Sequence, residues 1–352
     1  MEKINTQIKK IIKYPKTGQF RAIIKNIKEK ISFVGLDEDG KAIFDPSIKM
    51  PTLTFKGTVK IHGTNAGVSY NNAHGMWAQS KNDVITPESD NYGFAFFAHS
   101  HEAFFTEALK GFAKANDVDL DEHTITVYGE WAGETIQKGM GISNHPKSLF
   151  VFKVKISKPG DEDFKSYWID ASDFPRDEDN RVYHVDDFGT FEIDVDFNMP
   201  ALVINKLTDM TMEVENECPV AKKLGYTGIG EGIVWSVVFN GETYNFKVKG
   251  EKHSATKVKK LVKVDVEKLN SIKEFVEYAM TENRFEQALQ TVFGEDDLDV
   301  KKMGDFIRWN IKDIMSEEMD TMNENGLEPK DVNKHISAKA REMFFTKYNN
   351  DF

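Results

Sequence analysis

The sequence predicts an α+β protein, with a large, mostly β domain at residues 1–252 and a small all-α domain at residues 253–352. Three observations carry this. Between residue 51 and about residue 250, short runs alternate apolar and polar side chains with the period of two that a half-buried strand requires. After about residue 253, glycines become rare and apolar residues recur at i, i+3 and i+4, the spacing of an amphipathic helix. A chain of 352 residues is also longer than one compact core usually serves.

The elements follow in order. The N-terminal stretch MEKINTQIKKIIKYPK carries lysines but no continuous apolar run, so it does not read as a secretory leader. Strands are predicted at TLTFKGTVKI, HTITVYGEW, SLFVFKVKI, GIVWSVVF and TYNFKVK, with turn signals at Asn71-Asn72, Pro159-Gly160 and Asn240-Gly241. The last of these joins two strands and reads as a hairpin. One helix is predicted near residues 96–116. In the tail, VEKLNSIKEFVEYAM, RFEQALQTVF, VKKMGDFIRWNIKDIMSEEM and VNKHISAKAREMFFTKY all carry the helical spacing. Asn325-Gly326 stops one helix, and Asp331 after Pro329 starts the last.

Composition narrows the class. Apolar residues make up 40% and charged residues 29%, ordinary for a soluble globular protein. No apolar run approaches the ~20 residues of a membrane span. The single cysteine, Cys218, excludes an intrachain disulfide and the Cys-rich zinc patterns. It fits a reducing cytoplasm and reads as a small apolar filler. The net charge of −11 argues against nucleic acid as a partner of the surface as a whole. The charge is uneven, however. Residues 1–30 hold nine Lys or Arg against Glu2 and Glu29, and KVKGEKHSATKVKKLVK at 247–263 is strongly basic, whereas residues 161–197 concentrate acid. A local basic surface on an acidic protein still binds phosphates, because distant charges are screened.

The chemistry-bearing residues cluster at strand ends. In KGTVKIHGTNAGVSY (residues 56–70) the alternation sets Lys60 and His62 on one face and breaks at Gly63. By itself this reads equally as an exposed edge with a gatekeeper lysine. In TITVYGE, Thr126, Tyr128 and Glu130 share a face. Glu231 opens the EGIVWSV strand, and Asn245, Lys247 and Lys249 share a face in TYNFKVKG. Each charged pair alone could be a solvated face. Together, three lysines that bind phosphate as point charges and two glutamates that bind ribose hydroxyls or a divalent metal are the equipment for a nucleoside triphosphate. No phosphate-binding GxxxxGK[ST] and no GxGxxG between strand and helix is present.

On these residues the chain resembles the covalent nucleotidyltransferases, in the form used by RNA ligases of the bacteriophage T4 RNA ligase 2 type. KIHGTN at 60–65 looks like motif I. WAQSKNDVITPESDNYGF at 77–94 resembles the segment that follows it, with Lys81 where an arginine is common. VYGEW at 127–131, LFVFKV at 149–154, EGIVW at 231–235 and FKVKGEKHS at 246–254 match motifs III, IIIa, IV and V in order. Val59 stands where the T4 member has an acidic residue. The resemblance covers about residues 50–255, and a helical tail also fits such ligases.

The resemblance implies a nucleotidyltransferase domain of antiparallel sheets with flanking helices, followed by a helical domain that binds RNA ends. It implies ATP as the nucleotide, Mg²⁺ or Mn²⁺ as the metal, and RNA ends or a nicked RNA duplex as the partner. Lys60 would attack the α-phosphate of ATP and carry AMP as a phosphoramidate. The AMP would pass to an RNA 5′-phosphate before a 3′-hydroxyl displaces it. Lysine, neutral in only about one molecule in ~2500 at pH 7, would need its pKa lowered, with Lys247, Lys249 and the metal as the cationic neighbours. Glu130 and Glu231 would lie near the ribose and metal, Asn65 and Lys81 near the nucleotide, and Phe150 or Phe152 would stack on adenine, although Phe152 could equally be core. His62 would orient its loop. The basic run with Lys257, Lys259, Lys260 and Lys263 would lead into the RNA grip. A monomer in the cytoplasm, the host's if phage-encoded, is expected, with no membrane partner. DNA ligases and capping enzymes are the enzymatic rivals, and both usually continue into a β barrel after motif V. A nucleic-acid-end binding protein without catalysis is the rival of another class.

Overall fold

The computed structural model describes residues 9–36, 40–45, 47–252, 272–294 and 298–350. Its residues form two compact units, one of Met1–Val203 with Glu213–Val248 and the other of Ile204–Met212 with Lys249–Phe352. The basic run Lys257, Lys259, Lys260 and Lys263 lies outside the described residues. No helix among the described residues is long and apolar enough to cross a membrane.

The described part of the first unit opens with an irregular segment at residues 9–19 and then α1 (Phe20–Ser32), whose Ile23, Ile24 and Ile27 form a buried stripe. A small hairpin follows, β1 (Phe33–Leu36) and β2 (Ala42–Phe44). Next come β3 (Thr52–Lys60), β4 (Thr64–Asn71), β5 (Gly75–Ser80) and β6 (Val84–Ile85), then α2 (Phe94–Ser100) and α3 (Glu102–Ala115). β7 (Thr124–Ala132), β8 (Ser148–Ser157), β9 (Tyr167–Ile169), β10 (Val182–His184) and β11 (Thr190–Asp196) continue the chain. They are followed by α4 (Ile204–Asn216), of which Ile204–Met212 count with the second unit, α5 (Pro219–Lys223), β12 (Gly232–Phe239) and β13 (Glu242–Lys249), whose last residue does likewise.

Two sheets organise these strands. A seven-stranded sheet runs β10-β8-β7-β4-β5-β6, with β9 paired to β8, and a four-stranded sheet runs β11-β3-β12-β13. Pairing is antiparallel except between β8 and β10. One face of the large sheet presents Val68, Ile125, Val127, Val151, Val154 and Ile156 to Phe94, Phe97, Phe105, Leu109 and Phe112 of α2 and α3, which forms the main core. In the small sheet Phe55, Trp235 and Phe246 pack together, and Phe20 of α1 meets Phe246 at 5.1 Å. The Asn240-Gly241 signal is the β12–β13 turn, with both residues at positive φ (49° and 74°), as a two-residue hairpin turn demands.

Two sequence expectations shift in detail. The helix expected near 96–116 is two helices broken at His101, whose ring nitrogens meet the Phe97 carbonyl at 2.8 Å and Asn180 Oδ1 at 3.1 Å. The strand expected to carry both Lys60 and His62 stops at Lys60. Residues 61–63 make a tight connection, and a Cβ on Gly63 would lie 2.3 Å from the Trp131 carbonyl oxygen. That approach leaves no room for another ladder residue.

The described part of the helical unit contains α6 (Ile272–Ala279), α7 (Glu282–Phe293), α8 (Met303–Glu317), α9 (Met319–Glu324) and α10 (Pro329–Asn350). Their apolar stripes meet in a core of Phe275, Phe285, Phe306, Ile314, Val332, Ile336 and Phe344, among others. Gly326, at φ 64°, ends α9, and Pro329 opens α10, where its missing N–H costs nothing. The 300–319 run divides into α8 and α9, and the part of the 266–280 run before Ile272 lies outside the described residues.

Candidate active site

β3 belongs to the small sheet and β4 to the large one, so residues 61–63 carry the chain from one sheet to the other. Lys60 stands at that seam. In the small sheet Gly232 pairs with Lys60, which sets Glu231 beside it. Lys60 Nζ donates to Glu231 Oε2 at 2.7 Å, and His62 Nδ1 meets the same oxygen at 2.9 Å. Glu231 is buried, with 3% of its side chain exposed, and Lys60 keeps 20%.

The large sheet supplies the opposite wall. Asn65 pairs with Glu130 in the β4–β7 register, and the Gly63 N–H donates to Glu130 Oε1 at 3.1 Å. Gln137 Nε2 donates to the Gly63 carbonyl at 3.1 Å and braces the same turn. Burial pushes the Glu130 carboxyl up to about 7, the Lys60 cation opposes the rise, and the Glu231 charge adds to it. The exposed Lys81, just beyond β5, also reaches Glu130 electrostatically. The structure therefore brings Lys60, His62, Glu130 and Glu231 together, with Lys81 at longer range.

The remaining expected residues take varied positions. Asn65 Oδ1 is buried without a hydrogen-bond partner, a vacancy that a ligand donor would satisfy. Phe150 is fully buried, stacked on Tyr183 at 5.5 Å and edge-on to Phe188 at 5.6 Å. Tyr128 pairs with Lys153 and Gly129 with Val151, so Phe152 is the extra residue of a β-bulge. It is half-buried on the Tyr128 side, edge-on to Tyr14 at 5.4 Å. Lys247 and Lys249 lie half-buried on β13, alternating with the buried Phe246, and β12 separates their strand from β3. Cys218 is buried and its thiol is raised by burial, which keeps it protonated and inert.

As metal ligands, Glu130 and Glu231 offer carboxylate oxygens, the donor type Mg²⁺ and Mn²⁺ prefer. Among the described residues no group of three or more His, Cys, Asp or Glu is assembled to hold a metal. Two carboxylates suffice where a substrate's phosphates and water complete the shell, which is how Mg²⁺ is usually held in nucleotide sites. Gln137 braces the Gly63 turn, and Tyr14 feels the Glu130 charge; the sequence reading passed over both. The only local signal for Tyr14 was an aromatic in an otherwise basic, irregular stretch.

No curated protein matches this chain. Among solved structures it resembles the Naegleria gruberi RNA ligase with pyrophosphate (17% identity, TM-score 0.39) and mutants of that ligase with ATP and Mn (16%, 0.40) and with AMP and Mn (17%, 0.39). Each alignment covers 68% of this chain and 56% of the other, so the chain spans a little over half the length of those proteins. A family model described as RNA ligase matches residues 54–303. That span takes in Lys60 and its seam, both carboxylates and β13, and on it the chain belongs to the RNA ligase family.

Proposed function

We propose that this chain is an ATP-dependent RNA ligase of the bacteriophage T4 RNA ligase 2 type, sealing 5′-phosphate and 3′-hydroxyl ends through a lysyl-AMP intermediate. One observation carries the reading. A lysine at the junction of two sheets is held by a buried glutamate, and a second, incompletely solvated glutamate faces the same turn.

In the first step Lys60 Nζ bonds to the α-phosphorus of ATP as the bond to the bridging oxygen of the β-phosphate breaks, and pyrophosphate leaves. Nζ must first give up a proton, and Glu231 Oε2, 2.7 Å away, is within reach to take it. His62, on the same oxygen, fixes that carboxylate's orientation. Glu130 and Glu231 are the residues that would hold Mg²⁺ or Mn²⁺, which would offset charge on the phosphates. Asn65 Oδ1 would accept from the nucleotide, and Lys247 and Lys249 would meet phosphate oxygens as point charges. In the second step an RNA 5′-phosphate oxygen attacks the phosphorus of the adduct, the N–P bond breaks, and Lys60 recovers its proton. In the third a 3′-hydroxyl attacks the activated 5′-phosphate, and AMP leaves as the strand closes. Dividing the reaction this way replaces one difficult displacement by three easier ones.

The described residues beyond Lys252 are helical, without the β barrel that DNA ligases and capping enzymes usually carry at that point. We assign this helical domain to gripping RNA ends in a cytoplasmic, monomeric enzyme. A truncation after residue 252 should keep the ATP step and lose sealing. Its RNA binding should depend less steeply on salt than that of the whole chain. Equal sealing by both forms would remove this role. The test of the central reading is incubation with α-phosphate-labelled ATP and Mg²⁺ followed by a denaturing gel. A labelled protein band is expected, and its absence would overturn the reading.

A further inference from the structure

We infer that Tyr14, carried on an N-terminal strap, forms one wall of the nucleotide pocket and stacks against the purine of ATP. The inference rests on the proposed function and adds a residue to that site.

The segment from Lys9 to Gly18 has almost no regular structure of its own, yet it is pinned along its length. Lys9 Nζ donates to the Met76 carbonyl at 2.8 Å. The backbone of Ile12 exchanges two hydrogen bonds with the Gln79 side chain, at 3.1 and 2.7 Å, and its carbonyl also accepts from the Tyr128 hydroxyl. Lys155 Nζ reaches the Lys13 carbonyl at 3.1 Å. Gly18 then joins the small sheet beside β13, donating to the Asn245 carbonyl at 3.1 Å and accepting from Lys247 N–H at 3.3 Å. The strap is thus anchored on β5, β7 and β8 at one end and on β13 at the other, and Tyr14 hangs between the anchors.

The Tyr14 ring meets Tyr128 at 5.1 Å, Phe152 at 5.4 Å and Trp168 at 5.4 Å. Tyr128 and Glu130 are two apart on β7 and share a sheet face. Tyr14 therefore lies on the carboxylate side of the large sheet, beyond the aromatic group. Its phenol is pushed up to about 12, by burial first and by the Glu130 charge second. A purine is flat and uncharged, and sites for such ligands are lined mostly by apolar and aromatic side chains with a few polar groups that fix orientation. Phe150, opposite Glu130 in the β7–β8 register, is covered by Tyr183 and Phe188, whereas Tyr14 and the bulged Phe152 are only partly buried. A phenol that stays neutral at physiological pH adds ring surface there without adding charge beside the triphosphate.

The test is KM and kcat for formation of the protein–AMP adduct, with ATP affinity by calorimetry and thermal unfolding, in wild type, Tyr14→Phe, Tyr14→Leu and Tyr14→Ala. Base–aromatic stacking predicts that Tyr14→Leu and Tyr14→Ala raise KM and Kd roughly 5- to 100-fold. kcat should be little changed, the melting point of Tyr14→Leu should be kept, and Tyr14→Phe should behave as wild type. Wild-type KM and Kd in Tyr14→Leu, or losses that track only the melting point, would overturn the inference and leave the ligase reading standing. If wild type binds ATP with this Tyr14 dependence but forms no adduct, the ligase reading falls and the Tyr14 assignment stands.

Discussion

Two clusters in this protein combine one cation with two carboxylates, and they behave in opposite ways. In the helical unit Arg284 is fully buried. Its guanidinium donates to Asp313 at 2.8 Å, to Glu318 at 3.5 Å and to the Ala279 carbonyl. Every side of that planar fork has a fixed acceptor, the arrangement that suits a structural brace. In the first unit Lys60 is a point charge on a flexible stem, still partly open to solvent. Glu130 faces it with the Gly63 N–H as its backbone donor and a carboxyl raised to about 7, and the neighbouring Asn65 oxygen has no partner. The Arg284 cluster satisfies its cation from fixed acceptors on several sides, whereas the Lys60 cluster keeps a raised carboxyl and an unpartnered amide oxygen, the condition expected of a functional-site candidate.

The comparison can be broken, or made sharper, by substitution. Lys60→Ala should abolish the covalent AMP adduct while leaving the protein folded, read by labelled-ATP gel and by calorimetry. A labelled band in the mutant would move the nucleophile elsewhere. Arg284→Met should do the reverse. Leaving Asp313 and Glu318 without their cation should destabilise the helical unit by ~3–5 kcal/mol in a denaturant titration, while the adduct still forms at temperatures where the protein stays folded. An unchanged denaturation midpoint would mean the brace carries no load.

Glu130→Gln joins the two sides of the comparison. Adduct formation should fall roughly 100-fold through loss of the charge. Stability should respond with a definite sign. A carboxyl near 7 when folded and near ~4.3 when unfolded makes the folded state bind the extra proton between those values. Wild type therefore loses stability as pH rises through that window. The amide escapes this loss, so the mutant's melting point should exceed wild type's by a few °C more at pH 8 than at pH 5, on the order set by a domain of this size. An equal difference at both pH values would show that Glu130 is not under this strain. The smallest effect expected is from Lys247→Ala and Lys249→Ala, each slowing adduct formation roughly 10-fold as one charge-assisted phosphate contact is lost. If both variants react at the wild-type rate, that face of β13 does not meet the triphosphate.

How much of this was legible in the sequence follows from how local each signal is. Lys60, Glu130 and Glu231 could be picked out because each sits at the end of an alternating run, and strand periodicity needs no partner to be read. The β12–β13 hairpin announced itself through Asn240-Gly241 for the same reason. The break at His101 was not legible, because it involves Asn180, 79 residues away. Neither was the parallel placement of β10 on β8, which no local pattern encodes. The distinction between Phe150 and Phe152 depended on a bulge created by the partner strand. The N-terminal basic stretch was read for charge alone, although its Ile23, Ile24 and Ile27 stripe already marked a packing helix. Tyr14 drew no notice because everything that gives it meaning lies far along the chain.

The strap also bears on the order in which the molecule can be assembled. Ile12 pairs with Gln79 across 67 residues and with Tyr128 across 116, and Gly18 meets Asn245 near the end of the β domain. Closing such separations is slow compared with forming local hairpins and helices. The strap precedes β13 in the chain, so its last anchor is made only once β13 has emerged from the ribosome. Until then the segment is held only at its large-sheet end. A chain cut short before β13 would therefore carry Lys60 on an incomplete sheet, so the adduct-forming activity is expected to arise late in synthesis and all at once.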